Sequence, residues 1–268
     1  MDAIVHVVRC FEDPNVVHVD GSVGPRRDIE VIETELIMAD LDTVDKRLVR
    51  RQKEAKGGDK AARAELELLE RLKAMLEKGE SIRRGGYTEE EAAMLRMMFL
   101  LTSKPVLYVA NVSEEDLDKD TPLVREVRDV ASSEGAVVVV ICGKTEAEIS
   151  ALAPEDRPAF LESLGLAESG LDRLIRAGYE ILGLITFFTV GEDECKAWTV
   201  AGGAKAPQAA GRIHTDFERG FIRAEVVSYG ELVALGSWHA AKEKGVLRQE
   251  GKEYVVKDGD CMLFKFNV

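Results

Sequence analysis

One short motif in this sequence has the residue types needed to recognise a base. Asn111-Val112-Ser113-Glu114 directly follows the apolar run 105–110, which is predicted to be a strand. Ligands of α/β sheets bind beyond the carboxyl ends of the strands. The side-chain amide of asparagine both donates and accepts hydrogen bonds, and adenine offers a matching acceptor at N7 and donor at N6. The motif therefore predicts a base-binding loop, with an asparagine that caps a helix as the alternative.

Two other loops follow predicted strands in the same way. The apolar run 137–141 ends in Cys142-Gly143-Lys144, where the glycine would let a ligand approach the backbone closely. The run 3–8 ends in Arg9-Cys10-Phe11, and the Phe11 ring would either stack on a base or pack in the core. Because the carboxyl ends of parallel strands meet at one edge of a sheet, the three loops are expected to converge on one site.

The same motif bears on which base is preferred. It resembles the N-K-x-D motif with which GTPases read guanine, but Val112 and Glu114 replace the lysine and the aspartate. That aspartate accepts two hydrogen bonds from guanine, a geometry that the longer glutamate should not hold, and adenine has no 2-amino group. We therefore expect adenine to be preferred over guanine.

The residues that would handle phosphate are not found in the sequence. No G-x-x-x-x-G-K-[ST] motif occurs in the 268 residues. Gly143-Lys144-Thr145 resembles the end of that motif, but Val138 stands where its first glycine is required. Phosphoryl transfer depends on that loop, its lysine and Mg²⁺. We therefore predict no catalytic residue, no metal ligand and no phosphoryl transfer by these residues alone.

The elements that would hold the three loops are typical of a parallel α/β unit. Strand, helix and strand follow one another, and three further helices come next. The first strand is β-branched and nearly all apolar, so it is expected to be buried on both faces. A buried strand at the first residues suggests that the sequence begins in the middle of a domain. The predicted ranges are 3–8, 105–110 and 136–141 for the strands and 121–134, 144–151, 155–163 and 169–178 for the helices.

The segment between the first two strands has a helical pattern. Apolar residues spaced three and four apart predict helices over 28–56 and 60–78, broken at Gly57-Gly58-Asp59. Two such helices joined by a short turn form an antiparallel hairpin or coiled-coil arm. Thr88-Glu89-Glu90-Glu91 is a capping box that opens another helix.

The turn end of this hairpin is basic. Residues 46–63 contain eight Lys or Arg and two acidic residues, a net charge of +6. Such a run is either a solvated surface or a contact for an anionic partner. The whole chain carries a net charge of −13, so any contact with nucleic acid must come from a local patch of this kind.

The composition changes near Gly183, where short strands and glycine-rich turns begin. Strands are predicted over 184–190, 196–200, 221–228 and 261–267, with a loop at 206–211, as in a small α+β domain. Phe187 and Phe188 are expected in its core. His214 and Asp216 are expected to cap a helix rather than to form a hydrolytic pair, because the sequence places no nucleophile beside them.

Composition excludes several classes of protein. The four cysteines have no paired spacing, which indicates reduced thiols in a cytosol rather than disulfides or a zinc site. No apolar run reaches 18 residues, and the first residues lack the basic start of a signal peptide, so no membrane association is expected.

Several runs spread over essentially the entire chain resemble the YchF / Obg-like ATPase family. The most specific is 206–222, which lies in the segment that resembles a TGS domain. The others are Val7-Val8-Arg9-Cys10-Phe11-Glu12-Asp13, Gly21-Ser22-Val23, Arg27-Asp28-Ile29-Glu30, Asn111-Val112-Ser113-Glu114, Ile175-Arg176-Ala177-Gly178-Tyr179 and Val256-Lys257-Asp258-Gly259-Asp260.

The resemblance implies an α/β fold with three parts. A partial Obg-like P-loop NTPase domain with a parallel sheet would occupy 1–27 and 97–182. A helical coiled-coil arm would be inserted at 28–96, and an α+β TGS domain of the β-grasp type would follow at 183–268.

The resemblance also implies a function. ATP would be preferred over GTP, with Mg²⁺ held only by N-terminal motifs that these residues lack. The protein would be cytoplasmic and would contact the ribosome through Arg50, Arg51 and Lys53 at the arm tip and through the TGS domain. The alternative is a non-catalytic RNA- or ribosome-binding adaptor built from the arm and the TGS domain. The residues implied to line the adenine pocket are Phe11, Asn111, Val112, Cys142, Gly143 and Lys144.

Overall fold

A computed structural model describes residues 1–15, 21–56, 59–191 and 194–267. The chain divides into two compact units, Met1–Gly178 and Tyr179–Val268. The predicted turn at Gly57-Gly58 lies outside the described residues.

The first unit contains a parallel three-stranded sheet in the order β1-β2-β3. Its strands are β1 (Ile4–Arg9), β2 (Val106–Asn111) and β3 (Val137–Ile141). Helix α4 (Pro122–Glu134) connects β2 to β3 and begins at a threonine cap followed by proline, a combination that favours helix starts. The prediction of a parallel strand–helix–strand unit is confirmed.

The prediction that β1 is buried on both faces is wrong. Val8 is buried, but Val5 is 50% exposed and Val7 is 60% exposed. The strand therefore alternates, with one face packed and one open. The physical reason is that the core that Val8 joins, with α4 residues Val124 and Val127, covers only one face of β1.

Two long helices form the hairpin that the periodicity predicted. Helix α1 (Pro25–Lys56) starts three residues before the predicted Asp28, because proline is favoured in a first helical turn. Helix α2 (Lys60–Glu77) begins at the Asp59 cap. The buried residues shared by the pair include Val44, Leu48, Leu69, Leu72 and Leu76.

Several shorter helices follow the hairpin along the chain. Helix α3 (Glu89–Met98) opens with the predicted capping box, in which Thr88 and Glu91 bond to each other's backbone N–H. The predicted helices after β3 are present as α5 (Gly143–Ala151), α6 (Arg157–Ser163) and α7 (Gly170–Ile181).

The second unit contains a mixed five-stranded sheet in the order β5-β4-β8-β6-β7. Strands β4 and β8 run parallel, and the other neighbours are antiparallel. Phe187 is fully buried in the core, and Phe188 packs partly buried against a second cluster. The strands are β4 (Leu184–Val190), β5 (Cys195–Ala201), β6 (Phe221–Ser228), β7 (Arg248–Glu250) and β8 (Asp260–Phe266).

The prediction of a loop at 206–211 is wrong, because these residues form helix α8 (Ala206–Ile213). The side chain of Gln208 accepts the Lys205 backbone N–H at 2.8 Å, which caps the helix start. Three alanines of α8 are completely buried, so tertiary packing stabilises a segment whose proline and glycine suggested a turn. The remaining helices of the second unit are α9 (Thr215–Arg219), α10 (Tyr229–Leu235) and α11 (Trp238–Glu243).

None of the helices in the described ranges is both long enough and apolar enough to cross a bilayer.

Candidate functional site

The three loops that follow β1, β2 and β3 meet around one open cavity of about 870 Å³. Their convergence follows from the sheet register, which places Arg9 beside Asn111 and Asn111 beside Ile141. The Cys10 N–H donates to the Asn111 carbonyl and the Val112 N–H donates to the Ile141 carbonyl, each at 2.8 Å. The lining residues are Phe11, Glu12, Asp13, Asn111, Val112, Ser113, Glu114, Glu115, Cys142, Lys144 and Leu164.

Asn111 joins two of the loops. Its side-chain oxygen Oδ1 accepts the Gly143 backbone N–H at 2.9 Å. That bond occupies Oδ1, so the Nδ2 group of this cavity-lining residue is left as the side chain's donor. The expected two-point contact with a base therefore depends chiefly on Nδ2, with only the second lone pair of Oδ1 left to accept.

Val112 and Cys142 line the cavity with nearly buried side chains. Val112 is 2% exposed and belongs to the core between the sheet and α4. Cys142 is 3% exposed, and its carbonyl accepts the Glu146 N–H at 3.0 Å at the start of α5. These two residues therefore shape the wall, and Gly143 adjoins the cavity through its bond to Asn111.

Phe11 forms the wall contributed by the β1 loop. Its ring is half-buried, and the Arg9 guanidinium carbon lies 4.9 Å from the ring centroid. The Nε of Arg9 also donates to the Phe11 carbonyl at 3.0 Å. The ring is therefore held in place, with its cavity side available for stacking.

The rim of the cavity is acidic. Lys144 lies 4.0 Å from Glu114, and both side chains are exposed, so this ion pair contributes little. An acidic rim repels phosphate groups, so the cavity suits the base end of a nucleotide better than its phosphates. Within the described residues, no group of three or more His, Cys, Asp or Glu side chains is arranged to hold a metal ion. The rim carboxylates are Glu12, Asp13, Glu114 and Glu115.

Sequence reasoning missed part of the lining. Leu164, which follows α6, reaches the cavity although no local pattern marks it. The Ser113 hydroxyl donates to Asp116 at 2.8 Å and thereby shapes the loop after β2. The hydrogen bonds from Ser113 and Lys119 hold the pKa of Asp116 below its usual value.

The basic hairpin end is partly neutralised by its own acidic residues. Arg51 bonds to Glu54 and lies 2.8 Å from Glu65, while Arg50 bonds to Glu54 at 3.0 Å. Burial alone would raise the pKa of Glu65, but hydrogen bonds from Arg47 and Arg51 hold that pKa below its usual value. Among the three predicted contact residues, Arg51 is therefore structural, whereas Arg50 and Lys53 are both exposed.

The expectation that the His214 loop caps a helix is confirmed. His214 lies immediately before α9, and its Nδ1 accepts the Asp216 backbone N–H at 3.2 Å. The imidazole therefore satisfies one of the free N–H groups at a helix start.

Comparison with known proteins gives matches over nearly all of the chain. The family model YchF-GTPase_C, described as "Protein of unknown function (DUF933)", matches residues 184–267. A solved structure described as "Structure of the Schizosaccharomyces pombe YchF GTPase" superposes with a TM-score of 0.85 at 34% identity, covering 98% of this chain and 72% of that one.

Proteins of other organisms are similar at the sequence level. The "Ribosome-binding ATPase YchF" of Bacillus subtilis is 52% identical over 100% of this chain and 74% of its own length. The protein of the same name from Escherichia coli O157:H7 is 51% identical over 100% and 73%. "Obg-like ATPase 1" of Caenorhabditis elegans is 41% identical over 99% and 68%.

Proposed function

Because this chain belongs to the YchF family of Obg-like ATPases, we propose that it carries the base-recognition half of an adenine-nucleotide site together with ribosome-docking surfaces. Relatives at about half identity are named ribosome-binding ATPases, which supports both parts of the proposal. A ribosome-associated role would place the protein in the cytoplasm.

The bond from Gly143 to Asn111 is the observation that carries the nucleotide part. It orients the amide so that Nδ2 can donate to the N7 atom of a purine. Phe11 would stack on the base, and the backbone of Val112 and Cys142 would bound its edge. Glu114 stands where a guanine-reading aspartate would be, which favours ATP over GTP.

Binding and transfer of the phosphate groups would need residues that this sequence does not contain. The 268 residues contain no G-x-x-x-x-G-K-[ST] motif, and phosphoryl transfer needs that loop with its lysine and Mg²⁺. We therefore propose that these residues alone bind ATP weakly and do not hydrolyse it. Normal ATP turnover by the 268-residue polypeptide would contradict this.

The domain assignment stays a proposal as well. Residues 1–27 and 97–182 would form the Obg-like domain, 28–96 the coiled-coil arm and 183–268 the TGS domain. Ribosome contacts would come from the arm tip and from the TGS domain. The exposed Lys53 supports a contact at the tip, whereas Arg50 and Arg51 are partly engaged within the hairpin.

The nucleotide proposal is tested by titrating the chain with adenosine and guanosine and following backbone amide shifts by NMR. Saturable shifts of Asn111, Gly143 and Phe11 with adenosine, and weaker ones with guanosine, are expected. Inorganic tripolyphosphate is the control, since it carries charge without a base. Equal binding of both nucleosides would contradict adenine preference, and binding of neither would contradict the site.

The second candidate function is a non-catalytic adaptor that binds ribosomes or RNA through the arm and the TGS domain. The excess of basic residues at the hairpin end favours it. Co-sedimentation of the chain with ribosomes over a salt series tests it, because phosphate contacts weaken steeply with salt. Ribosome binding that is unchanged by ATP and by Asn111 substitutions would support the adaptor. Ribosome binding that depends on ATP would support the nucleotide-gated function.

A further inference from the structure

We propose that Arg9 is a positioning residue of the base site, which holds the Phe11 ring in place as the stacking wall. This inference rests on the proposed function, because it assigns a role within the same cavity. Arg9 is the last residue of β1, and Phe11 lies two residues further along the chain. The two residues therefore join a rigid strand to the loop that reaches the cavity.

A single guanidinium contacts both the ring and the backbone of this loop. Its carbon lies 4.9 Å from the Phe11 ring centroid, within the range of cation–π attraction. Its Nε donates to the Phe11 carbonyl at 3.0 Å, and a terminal nitrogen lies 3.4 Å from the Asp13 carbonyl. The two hydrogen bonds fix the path of residues 11–13, and rotation of the Phe11 ring away from this position would lose its contact with the guanidinium.

The guanidinium supports this wall from outside the cavity. Phe11 and Asp13 both line the cavity, whereas Arg9 is not part of the described lining. Because Arg9 does not line the cavity, the part of the ring that does is left for a ligand. A base that stacks there meets a ring already held in its bound position, so the ordering cost of binding falls.

The contact set requires the shape of arginine. A planar guanidinium can lie on a ring while its edge donates to carbonyls, and a lysine ammonium cannot do both. Arg9→Lys keeps the positive charge but lacks the planar guanidinium. It is therefore expected to weaken adenosine binding almost as much as Arg9→Ala. A role based on charge alone would instead be rescued by lysine.

The test is a double-mutant cycle on adenosine affinity with Arg9→Ala, Phe11→Ala and the double variant. Phe11→Ala should weaken binding about tenfold, the usual scale for losing one base stack. Arg9→Ala should weaken it about threefold to tenfold. In the Phe11→Ala background, Arg9→Ala should change affinity less than about twofold, because Arg9 acts through the ring. Arg125→Ala, which removes an exposed arginine of α4, is the matched control.

A second readout needs no ligand. The ¹⁹F NMR signal of 4-fluorophenylalanine at position 11, assigned by its loss in Phe11→Leu, should shift toward the random-coil position in Arg9→Ala and Arg9→Lys. If Arg9→Ala fails to fold by circular dichroism, Arg9→Lys carries the same comparison.

The outcomes separate the two proposals. If the wild-type chain shows no saturable adenosine binding, the base site fails and the role of Arg9 fails with it. If adenosine binds and Phe11→Ala weakens it while Arg9→Ala does not, only the role of Arg9 is overturned. The role of Arg9 is also overturned if Arg9→Ala lowers adenosine affinity equally in the wild-type and Phe11→Ala backgrounds, or if Arg9→Lys retains wild-type affinity.

Discussion

The side-chain oxygen of Asn111 accepts the backbone N–H of Gly143 at 2.9 Å, so one side chain joins the ends of β2 and β3. A carboxylate at position 111 keeps this acceptor and removes the Nδ2 donor. Asn111→Asp should therefore leave stability nearly unchanged and weaken adenosine binding by about 0.5–1.5 kcal/mol, the usual net contribution of one hydrogen bond. Isothermal titration and urea unfolding measure the two effects.

Asn111→Ala is the companion variant. It should weaken adenosine binding to a similar degree and also lower the free energy of unfolding by about 1 kcal/mol, because the Gly143 N–H loses its partner. Wild-type affinity in Asn111→Asp would show that Nδ2 does not contact the base.

Two glycines flanking this region should respond differently to alanine. A Cβ on Gly143 would lie 3.5 Å from Asn111 Oδ1, an ordinary contact, so Gly143→Ala should fold with wild-type stability. A Cβ on Gly170 would lie 2.7 Å from both Ile141 and Glu146, so Gly170→Ala should destabilise the chain by about 1–3 kcal/mol. Thermal melts compare the two, and equal melting temperatures would contradict the packing described here.

Gly143→Ala also tests close approach of a ligand. If a base lies against this backbone, the added methyl should weaken adenosine binding although the fold is intact. Unchanged affinity would place the base away from Gly143.

Asp40 should be among the most sensitive positions of the hairpin. It is 2% exposed and accepts the Leu101 and Thr102 N–H groups, each at 2.7 Å, and the Thr102 hydroxyl at 2.6 Å. Asp40→Ala leaves these donors without partners, so the free energy of unfolding should fall by about 3 kcal/mol. Asp42→Ala is the control, since it removes only an exposed pair with Lys46 and should cost at most about 1 kcal/mol.

His6 should make stability depend on mildly acidic pH. Burial, and then the nearby charge of Arg83, lower the pKa of His6 below 6.5, while Glu134 opposes them. The unfolded chain then binds the His6 proton more readily than the folded chain. The resulting loss of folding free energy is absent well above pH 6.5 and grows as the pH falls below that value. Urea unfolding at pH 7.5 and 5.5 should show a larger loss for wild type than for His6→Gln. Identical losses would mean that His6 titrates normally.

The exposed cations of the hairpin end give a prediction about ribosome contact. Lys53 and Lys56 are exposed, whereas Arg51 is bonded to Glu54 and Glu65. Replacing Lys53 and Lys56 by Glu should reduce co-sedimentation with ribosomes and its salt dependence, with no change in melting temperature. Arg51→Glu should instead lower the stability of the hairpin, because it places a third carboxylate beside Glu54 and Glu65. Unchanged ribosome binding in the double Lys variant would remove the arm tip from the interface.

Much of the architecture was predictable from sequence because its signals are local. Apolar spacing of three and four marks α1 and α2, and the capping box at Thr88 marks α3. Strand, helix and strand in succession predict a parallel sheet, and the carboxyl ends of such strands must share an edge. That reasoning alone brought Phe11, Asn111 and Cys142 to one cavity.

Only the tertiary structure decided which groups remain available at that cavity. The acceptor of Asn111 is bonded by Gly143, 32 residues away, and Arg51 is neutralised by Glu65 on the opposite helix. Tertiary packing also decided that Val5 and Val7 are exposed, and that α8 is a helix despite its turn-forming residues, because its alanines are buried. The physical reason is common to all of these. Residue type and spacing determine what a side chain can do, while neighbours distant in sequence determine whether its hydrogen-bonding groups and its surface are still free.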